Sequence, residues 1–429
     1  MRIAVVGSGI SGLVCAHLLQ QRHDVTLIEA NSYLGGHTNT VDVNLDNEHH
    51  RIDTGFIVFN DWTYPNFIGL LNELGVASQP TLMGFSVRCS RCSLEYAGTN
   101  FLSLFAQKRN LLSPGHYRML YDILRFNQLG SQSQNEPAKP QTLGDFLKEH
   151  RFSHTFAEHY LLPMGAAIWS CPMTTFEQFP ISFILEFYRN HGLLNVFNRP
   201  TWRVVQGGSQ SYVERIRQQF RGDILLNSPV RKVERKSDEV VVHFQDHFEI
   251  FDEVILACHS DQALRMLESP TVAETQVLSS FPYGRNEAVL HTDDSLLPKR
   301  KVAWSSWNYH VRDGEQRPSV TYNMNILQGI ESQNTFCVTL NETESIAPEK
   351  VLGSFEYHHP VFTLERQAAQ SRHDELIRQA GLSYCGAYWG NGFHEDGVNS
   401  ALKVCKAFGV TPSWQLGDVS IAREANLVG

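Results

Sequence analysis

The chain has 429 residues, a formal net charge of −9 at pH 7, 42% hydrophobic residues and 19% charged residues. An acidic chain of this kind lacks the basic face that nucleic-acid binding requires, and its hydrophobic content argues against disorder. The length is ample for two domains, and no apolar run approaches the ~20 residues of a membrane-spanning helix.

The chain begins with a pattern typical of a nucleotide-binding β-α-β unit. Residues 3–6 predict a buried strand, and Gly7, Gly9 and Gly12 follow where the chain must turn into a helix. We expect the first glycine to permit the turn, the second to let a pyrophosphate approach the backbone, and the third to let helix and strand pack closely. The helix N-terminus then faces the phosphates, where Ser11 would add a hydroxyl donor.

Glu29 completes this unit at the end of the predicted second strand. It follows Gly7 by about 20 residues, the spacing of the acid that hydrogen-bonds a ribose hydroxyl in dinucleotide-binding folds. A secretory signal peptide is the alternative for this apolar N-terminus. Glycines and serines interrupt the run and no small-residue cleavage site follows, so we favour a bound dinucleotide.

The centre of the chain changes from helical to strand-like patterns. Residues 63–200 are predicted to be mostly helical, with a surface loop at 130–141. The aromatic and basic stretch 101–112 indicates either a peripheral membrane contact or an amphipathic segment of the core. A capped helix at 209–220 then leads into short segments at 223–226, 230–233, 240–244 and 248–251, which predict an antiparallel meander feeding a buried return strand at 254–257.

The cysteines and histidines predict no metal site. Eight cysteines are scattered along the chain, which is typical of reduced thiols in a cytoplasmic protein. Cys89 and Cys92 form a CxxC pair, but no second pair and no histidine pair at ligand spacing accompanies it. We interpret the pair as incidental, in a strand or hairpin, with a redox dithiol as the alternative.

The C-terminal region predicts which dinucleotide is bound. A flavin-binding fold must hold a second, distant end of its cofactor, and a plain NAD-binding domain has no such need. We expect Gly397 to open a helix over 398–408 whose N-terminus faces the flavin ring. Asp396 would then lie near the pyrophosphate and the ribityl hydroxyls.

These segments resemble the flavin-containing amine oxidase and phytoene desaturase superfamily. The resemblance implies FAD bound without a nicotinamide site, with Val230 contacting the adenine through its backbone and with Gly55 and Phe56 beside the flavin ring. It also implies an α/β fold in which a Rossmann-like FAD-binding domain, a parallel sheet with an antiparallel meander, is interleaved with a mixed α+β substrate domain. It is carried by residues 7–12, Glu29, 35–36, 53–55, 207–209, Val230, 254–257 and 393–398.

The interleaving divides the chain into five intervals. We assign 1–62, 201–265 and 381–429 to the FAD-binding domain. Residues 63–200, mostly helical, and 266–380, of mixed strand and helix, form the substrate domain.

Two positions depart from the family pattern. His37 follows Gly36 where the family usually has arginine, so the positive charge near the pyrophosphate would titrate around neutrality and FAD binding would weaken at high pH. Residues 286–291, the strand that we match to the lysine-bearing strand of amine oxidases, contain no lysine. Within the superfamily the chain is most similar to bacterial FAD-dependent oxidoreductases associated with fatty-acyl cyclopropane synthases, which suggests a lipid substrate.

Few protein groups need be catalytic, because a flavin carries the hydride chemistry itself. His394 is the candidate that orients a substrate or moves a proton, with a structural histidine as the alternative. Tyr388 and Trp389 either wall a substrate cavity or are ordinary core aromatics. We predict an FAD-dependent oxidoreductase that removes a hydride from a carbon of an apolar, lipid-like substrate. The alternatives are an amine oxidase, a redox-neutral flavin isomerase and a non-catalytic flavin-binding partner protein.

Overall fold

The computed structural model describes residues 1–132, 141–169, 171–195, 197–312 and 319–416. The strands are β1 (Arg2–Val6), β2 (Asp24–Ile28), β3 (Thr40–Leu45), β4 (Glu48–Asp53), β5 (Phe59–Asn60), β6 (Ser78–Pro80), β7 (Phe85–Cys89), β8 (Leu94–Ala97), β9 (Trp202–Val205), β10 (Asp223–Leu225), β11 (Lys232–Arg235), β12 (Val240–His243), β13 (Phe248–Phe251), β14 (Glu253–Leu256), β15 (Tyr283–His291), β16 (Trp307–Val311), β17 (Ser319–Asn323), β18 (Cys337–Leu340), β19 (Val351–Pro360) and β20 (Leu382–Tyr384). The α-helices are α1 (Ile10–Leu19), α2 (Pro65–Leu74), α3 (Phe101–Leu104), α4 (Pro114–Gln132), α5 (Leu143–Glu149), α6 (His154–Phe156), α7 (Leu162–Ile168), α8 (Met173–Phe176), α9 (Ile181–Asn190), α10 (Gln210–Gln219), α11 (Ser260–Met266), α12 (Val272–Leu278), α13 (Met324–Gln328), α14 (Leu364–Gln370), α15 (His394–Ala407) and α16 (Ser413–Leu416).

A five-stranded parallel sheet in the order β10-β2-β1-β14-β20 forms the centre of the half that contains the N-terminal β-α-β unit. Its middle strands are continuous apolar runs because helices and the small meander cover both faces. Ile3 and Val5 pack against α1, α2, α10 and α15, while Ala4 and Val6 pack against the meander, α11 and α12. The predicted N-terminal β-α-β unit and the return strand at the sheet centre are confirmed.

The meander is confirmed as the antiparallel sheet β11-β12-β13. Its predicted first member was assigned wrongly, since β10 pairs in parallel with β2 instead. The helix before β10 begins at Gln210, and the side chain of its N-cap residue Ser209 makes no capping hydrogen bond. The Ser209 N–H and hydroxyl both donate to Asp53 Oδ1 at 2.8 Å, because that fully buried carboxylate requires donors.

The second half of the molecule is built on a seven-stranded mixed sheet in the order β19-β15-β18-β17-β16-β7-β8. Residues 63–200, predicted to be mostly helical, contain helices α2–α9 and also the three short strands β6, β7 and β8. Their short length and turn-rich sequence gave little strand periodicity. Helix α4 also continues to Gln132, two residues past Gly130, and most of the predicted loop at 130–141 lies outside the described residues.

The strands of the two large sheets separate along the predicted intervals. All five parallel strands come from 1–62, 201–265 and 381–429, and all seven strands of the mixed sheet come from 63–200 and 266–380. The domain limits themselves stay a prediction. Among the described helices, none combines the length and apolar composition needed to cross a bilayer.

Candidate functional site

A cavity of about 1090 Å³ lies at the carboxyl ends of the parallel strands. Val6, Ile28 and Ala257, at or just after the ends of β1, β2 and β14, all line it. The chain leaves β1 toward β2 on one side and β14 lies on the other, so the cavity opens at the switch point where open α/β sheets bind ligands. Residues of the first loop, 7–11, and of the C-terminal segment, 386–388 and 391–394, line this same cavity.

The three glycines of the first loop have different surroundings. Gly7 has a φ of +103°, which L side chains rarely adopt. A Cβ on Gly12 would lie 1.9 Å from the Gly7 carbonyl oxygen, so Gly12 permits close packing of helix and strand. A Cβ on Gly9 would meet no protein atom within 4 Å, because Gly9 faces the cavity. This open side leaves room for a phosphate group to approach the backbone, so the loop fits the pyrophosphate of a dinucleotide.

Glu29 and Ser11 both make contacts within the protein. The Ser8 N–H and hydroxyl donate to Glu29 Oε2 at 2.9 and 2.6 Å, so Glu29 holds the first loop, residues 7–11, while lining the cavity. The Ser11 hydroxyl donates to the Gly397 carbonyl oxygen at 2.9 Å. The prediction that Ser11 offers this donor to phosphates therefore needs correction: its proton ties α1 to α15.

His37 lines the cavity within a cluster of aromatic rings. Its ring centroid lies 5.0 Å from that of Tyr357, 5.5 Å from that of His359 and 6.0 Å from that of His259. Burial, with the neighbouring histidines, lowers the pKa of His37 well below its usual range. The predicted titration near neutrality is therefore wrong for the free protein, and His37 is neutral there. Its buried Nε2 has no partner among the described residues, which leaves it available to a bound cofactor.

The other predicted contacts at this end also line the cavity: Gly36, Gly55, Phe56 and Val230. Gly36 has a φ of +59°. A Cβ on Gly55 would lie 2.1 Å from the His37 carbonyl oxygen, which brings these two loops into close contact. The Phe56 N–H also donates to that oxygen at 2.8 Å.

His394 is the first residue of α15, so the helix begins four residues before the predicted Val398. Its ring stacks on Phe56 with centroids 3.6 Å apart and an interplanar angle of 6°. His394 Nε2 lies 2.8 Å from the Tyr212 hydroxyl, which lies 2.5 Å from Thr38 Oγ1. Burial lowers the pKa of His394 to about 3. A neutral imidazole is thus fixed at the cavity wall, suited to orienting a ligand and poorly suited to accepting a proton.

Asp396, Gly397 and Val398 lie behind the cavity wall, outside the described lining. Asp396 Oδ2 accepts the N–H groups of Asn391 and Phe393 at 3.0 and 2.9 Å, so its predicted role beside the pyrophosphate needs correction. These N–H groups precede α15 and need an acceptor. A Cβ on Gly397 would lie 2.6 Å from Ile10 Cγ2, and Val398 is fully buried in the same packing of α15 against α1.

Tyr388 and Trp389 lie side by side in the 3₁₀ turn Ala387–Trp389, with ring centroids 5.2 Å apart, and both rings contact Phe281. Tyr388 lines the cavity. Trp389 does not lie in the described lining and stacks on His373, with centroids 3.9 Å apart. Of the two alternatives predicted for Trp389, these contacts favour a core aromatic.

Much of the cavity was not predicted from the sequence. His259 follows β14 directly, so its place after the carboxyl end of a parallel strand was a usable signal. His359 lies within the long strand β19, where the sequence gives no comparable signal. Beyond the nucleotide-binding loops the wall becomes aromatic and apolar, and it includes Tyr96, Tyr160, Met164, Ile168, Trp169, Phe187, Trp307 and Tyr322.

Comparison with known proteins identifies one matching sequence family. The sequence model of the family described as flavin containing amine oxidoreductase matches residues 10–324, most of the chain. No curated protein sequence matches the chain.

Solved structures share its fold at low sequence identity. A cyclohexylamine oxidase from Brevibacterium oxydans IH-35A has a TM-score of 0.65 and 16% identity, over 95% of this chain and 98% of that one. A CLA-producing fatty acid isomerase from P. acnes has a TM-score of 0.67 and 13% identity over the same shares. A provisionally assigned protoporphyrinogen oxidase from Exiguobacterium sp. 255-15 has a TM-score of 0.67 and 15% identity, again over 95% and 98%.

Proposed function

Because the chain belongs to the flavin containing amine oxidoreductase family, we propose that it is an FAD-dependent oxidoreductase that removes a hydride from a carbon of an apolar, lipid-like substrate. When bound, the flavin supplies the hydride chemistry. The observation that carries the proposal is one continuous cavity, with a glycine loop suited to a pyrophosphate and an apolar aromatic wall beyond it. The cavity volume of about 1090 Å³ is at the upper end of the ~300–1,000 Å³ that is usual for small-molecule sites.

We choose FAD over a flavin mononucleotide because the cavity has residues suited to a pyrophosphate and to an adenosine. Gly9 leaves its backbone open to a pyrophosphate, Glu29 lines the cavity at the end of β2, and Val230 lines it from the loop before the meander. A mononucleotide would not need this adenosine side. His37 would contribute a neutral hydrogen-bonding group from Nε2.

The argument against an amine substrate rests on the carboxylates that line the cavity. Its described carboxylates are Glu29, engaged by Ser8, and Glu356, which accepts from Arg285 Nε at 2.7 Å. Neither is a free partner for a substrate ammonium group. Strand β15 also contains no lysine. The aromatic wall of the cavity supports a lipid-like substrate.

We assign His394 the role of orienting the substrate. Its stacking on Phe56 and its contact with Tyr212 fix the ring plane, and Tyr388 lies on the wall of the same cavity. Since burial lowers the pKa of His394 to about 3, the imidazole stays neutral during turnover near pH 7.

The test is to purify the protein, identify its cofactor by mass spectrometry and mix it anaerobically with oleic acid or with cyclohexylamine. We expect a yellow protein containing FAD that the fatty acid bleaches and the amine does not. Bleaching by the amine alone would establish amine oxidation instead. Fatty-acid turnover only by pre-reduced enzyme would establish a redox-neutral isomerase. A colourless protein that does not take up FAD would refute the proposal.

We also propose a peripheral contact of residues 101–112 with the membrane's inner face. Four apolar side chains in this segment, Phe101, Leu102, Leu111 and Leu112, are 44–88% exposed, while the polar Asn110 is buried. This inverted pattern argues against the alternative of an ordinary core segment. Lys108 and Arg109 between them favour an anionic surface.

Vesicle co-sedimentation tests the contact. We expect binding to vesicles containing phosphatidylserine, with weak binding to pure phosphatidylcholine. Leu112→Glu should reduce the binding by about tenfold, whereas Phe248→Glu, which changes an exposed phenylalanine on the meander, should not. Equal binding by both variants would contradict the contact.

A further inference from the structure

Three side chains suited to a soft metal ion meet at the edge of the seven-stranded sheet. Cys89, Cys92 and His159 place their candidate ligand atoms within 4.8 Å of one another. Cys92 Sγ lies 3.5 Å from His159 Nε2. The sequence alone predicted no metal here, because the histidine is distant in the chain and only the fold brings it to the cysteine pair.

The spacing suits tetrahedral zinc. Zinc–sulfur and zinc–nitrogen bonds of about 2.3 and 2.1 Å at a tetrahedral angle place the two ligand atoms about 3.6 Å apart. The observed separation of Cys92 Sγ and His159 Nε2, 3.5 Å, is close to this distance. Two thiolates and an imidazole also favour zinc over calcium or magnesium, which take oxygen ligands.

The cysteine pair is held by the backbone around it. Cys89 ends β7, where it pairs with Leu94 of β8 and with Val311 of β16. Gln107 Nε2 donates to the Ser93 carbonyl oxygen at 2.7 Å and so fixes the turn that carries Cys92. This is the CxxC turn at the end of a strand that zinc sites commonly use.

The histidine is positioned by an unusual piece of helix. His159 lies in the π-helical turn Ala157–Leu161, and such turns occur frequently at functional sites. The Tyr96 hydroxyl of β8 donates to the His159 carbonyl oxygen at 2.6 Å, so the hairpin and the helix are already joined next to the three ligands.

We propose that Cys89 Sγ, Cys92 Sγ and His159 Nε2 bind one Zn²⁺ ion, with water as the fourth ligand on the exposed side of Cys92. Binding releases the two thiol protons to solvent and leaves the oxidation state of every group unchanged. The ion clamps the β7-β8 hairpin to the π-helical turn. Tyr96 and Tyr160 flank this clamp and line the cavity, so the metal stabilises the apolar wall of the proposed substrate site.

The test is the metal content of the flavin-loaded protein, purified without chelators and measured by mass spectrometry. We expect about one zinc per chain, and zinc-edge X-ray absorption should show two sulfur ligands and light-atom ligands. Cys92→Ser and His159→Ala should each lower the retained zinc by about tenfold or more. His154→Ala is the matched control, because His154 is 76% exposed on the adjoining helix and lies outside the ligand set; it should retain the zinc.

A wild-type protein that holds no zinc after incubation with Zn²⁺, or zinc that survives both ligand variants, would overturn the site. A Cys89–Cys92 disulfide in the purified protein would overturn it as well. Cobalt substitution of wild-type protein gives a measurement that needs no variant to fold. Intense bands of tetrahedral cobalt with sulfur ligands support the site, and their absence overturns it. None of these readouts depends on the flavin reaction.

Discussion

The two ends of the cavity are built from different parts of the polypeptide. The nucleotide-binding end is formed by backbone, and at Gly12 even a methyl group would collide with a carbonyl oxygen. The apolar end is formed by side chains such as Tyr160, Trp169 and Phe187, carried on helical segments. Backbone cannot move without changing the fold, whereas side chains of similar volume can be exchanged. We therefore expect abrupt losses at the first end and graded effects at the second.

The largest effect is expected from Gly12→Ala. The new Cβ would lie 1.9 Å from the Gly7 carbonyl oxygen, so the first strand and α1 must separate. Overpacking of this kind lowers the free energy of unfolding by about 3 kcal/mol. Guanidinium unfolding and the visible flavin spectrum should show a less stable, largely colourless protein.

Gly9→Ala is the matched control in the same loop. Gly9 has a φ of −64°, which alanine accepts, and its Cβ would meet no protein atom within 4 Å. The protein should keep its stability without cofactor and lose affinity for flavin, since the methyl group points into the cavity. Equal stability of the two flavin-free variants would show that Gly12 is not required for the close packing of α1 against the first strand.

A smaller effect is expected from Asp396→Ala. This removes the acceptor of the Asn391 and Phe393 N–H groups at the start of α15, which should lower the free energy of unfolding by about 2 kcal/mol. We expect the variant still to bind flavin, because Asp396 lies outside the described cavity lining. Full stability with loss of flavin would instead support the original prediction that this carboxylate contacts the cofactor.

His394 should make stability depend on pH. Because burial lowers the pKa of the folded histidine to about 3, only the unfolded chain takes up its proton below the ordinary value of about 6.5. Its contribution is therefore fully present above pH 6.5 and decreases as the pH falls. Between pH 7.5 and 5.5 the loss is about 1.4 kcal/mol.

Guanidinium unfolding of wild type and His394→Gln at these two pH values measures this contribution. The wild type should lose more stability on acidification than His394→Gln by about that amount. Tyr212→Phe, which removes the hydroxyl beside His394 Nε2 and keeps the imidazole, should retain the wild-type dependence. Identical pH dependence of wild type and His394→Gln would contradict the buried, neutral histidine.

The difference between the backbone-built end and the side-chain-built end of the cavity also explains which features the sequence could predict and which it could not. Gly7, Gly9 and Gly12 are required by local backbone geometry, so their spacing predicted the β-α-β unit and the side of the sheet where the cavity lies. The charge states and contacts of His37 and Asp396 depend on neighbours that only the fold supplies. The sequence therefore could not predict the lowered pKa of His37 or the backbone N–H groups that Asp396 accepts.

The aromatic wall and the cysteine–histidine cluster were beyond prediction for the same physical reason. Tyr96 and Tyr160 come from a hairpin and a helix whose pairing has no local pattern, and His159 joins Cys92 only through that packing. His259 is the exception, because residues after the carboxyl end of a parallel strand are expected near a ligand.

The smallest structural effect is expected from Phe187→Leu at the apolar end. Leucine retains much of the volume, so the loss of stability should stay below about 1.5 kcal/mol and the flavin should remain bound. The lost contact area should weaken binding of oleic acid, followed through the flavin spectrum, by roughly fivefold, equivalent to about 1 kcal/mol. Phe248→Leu on the exposed meander should change neither quantity. If Phe187→Leu removed the flavin as completely as Gly12→Ala, side chains at the apolar end could not be exchanged independently of flavin binding. The expected difference between the two ends of the cavity would then be wrong.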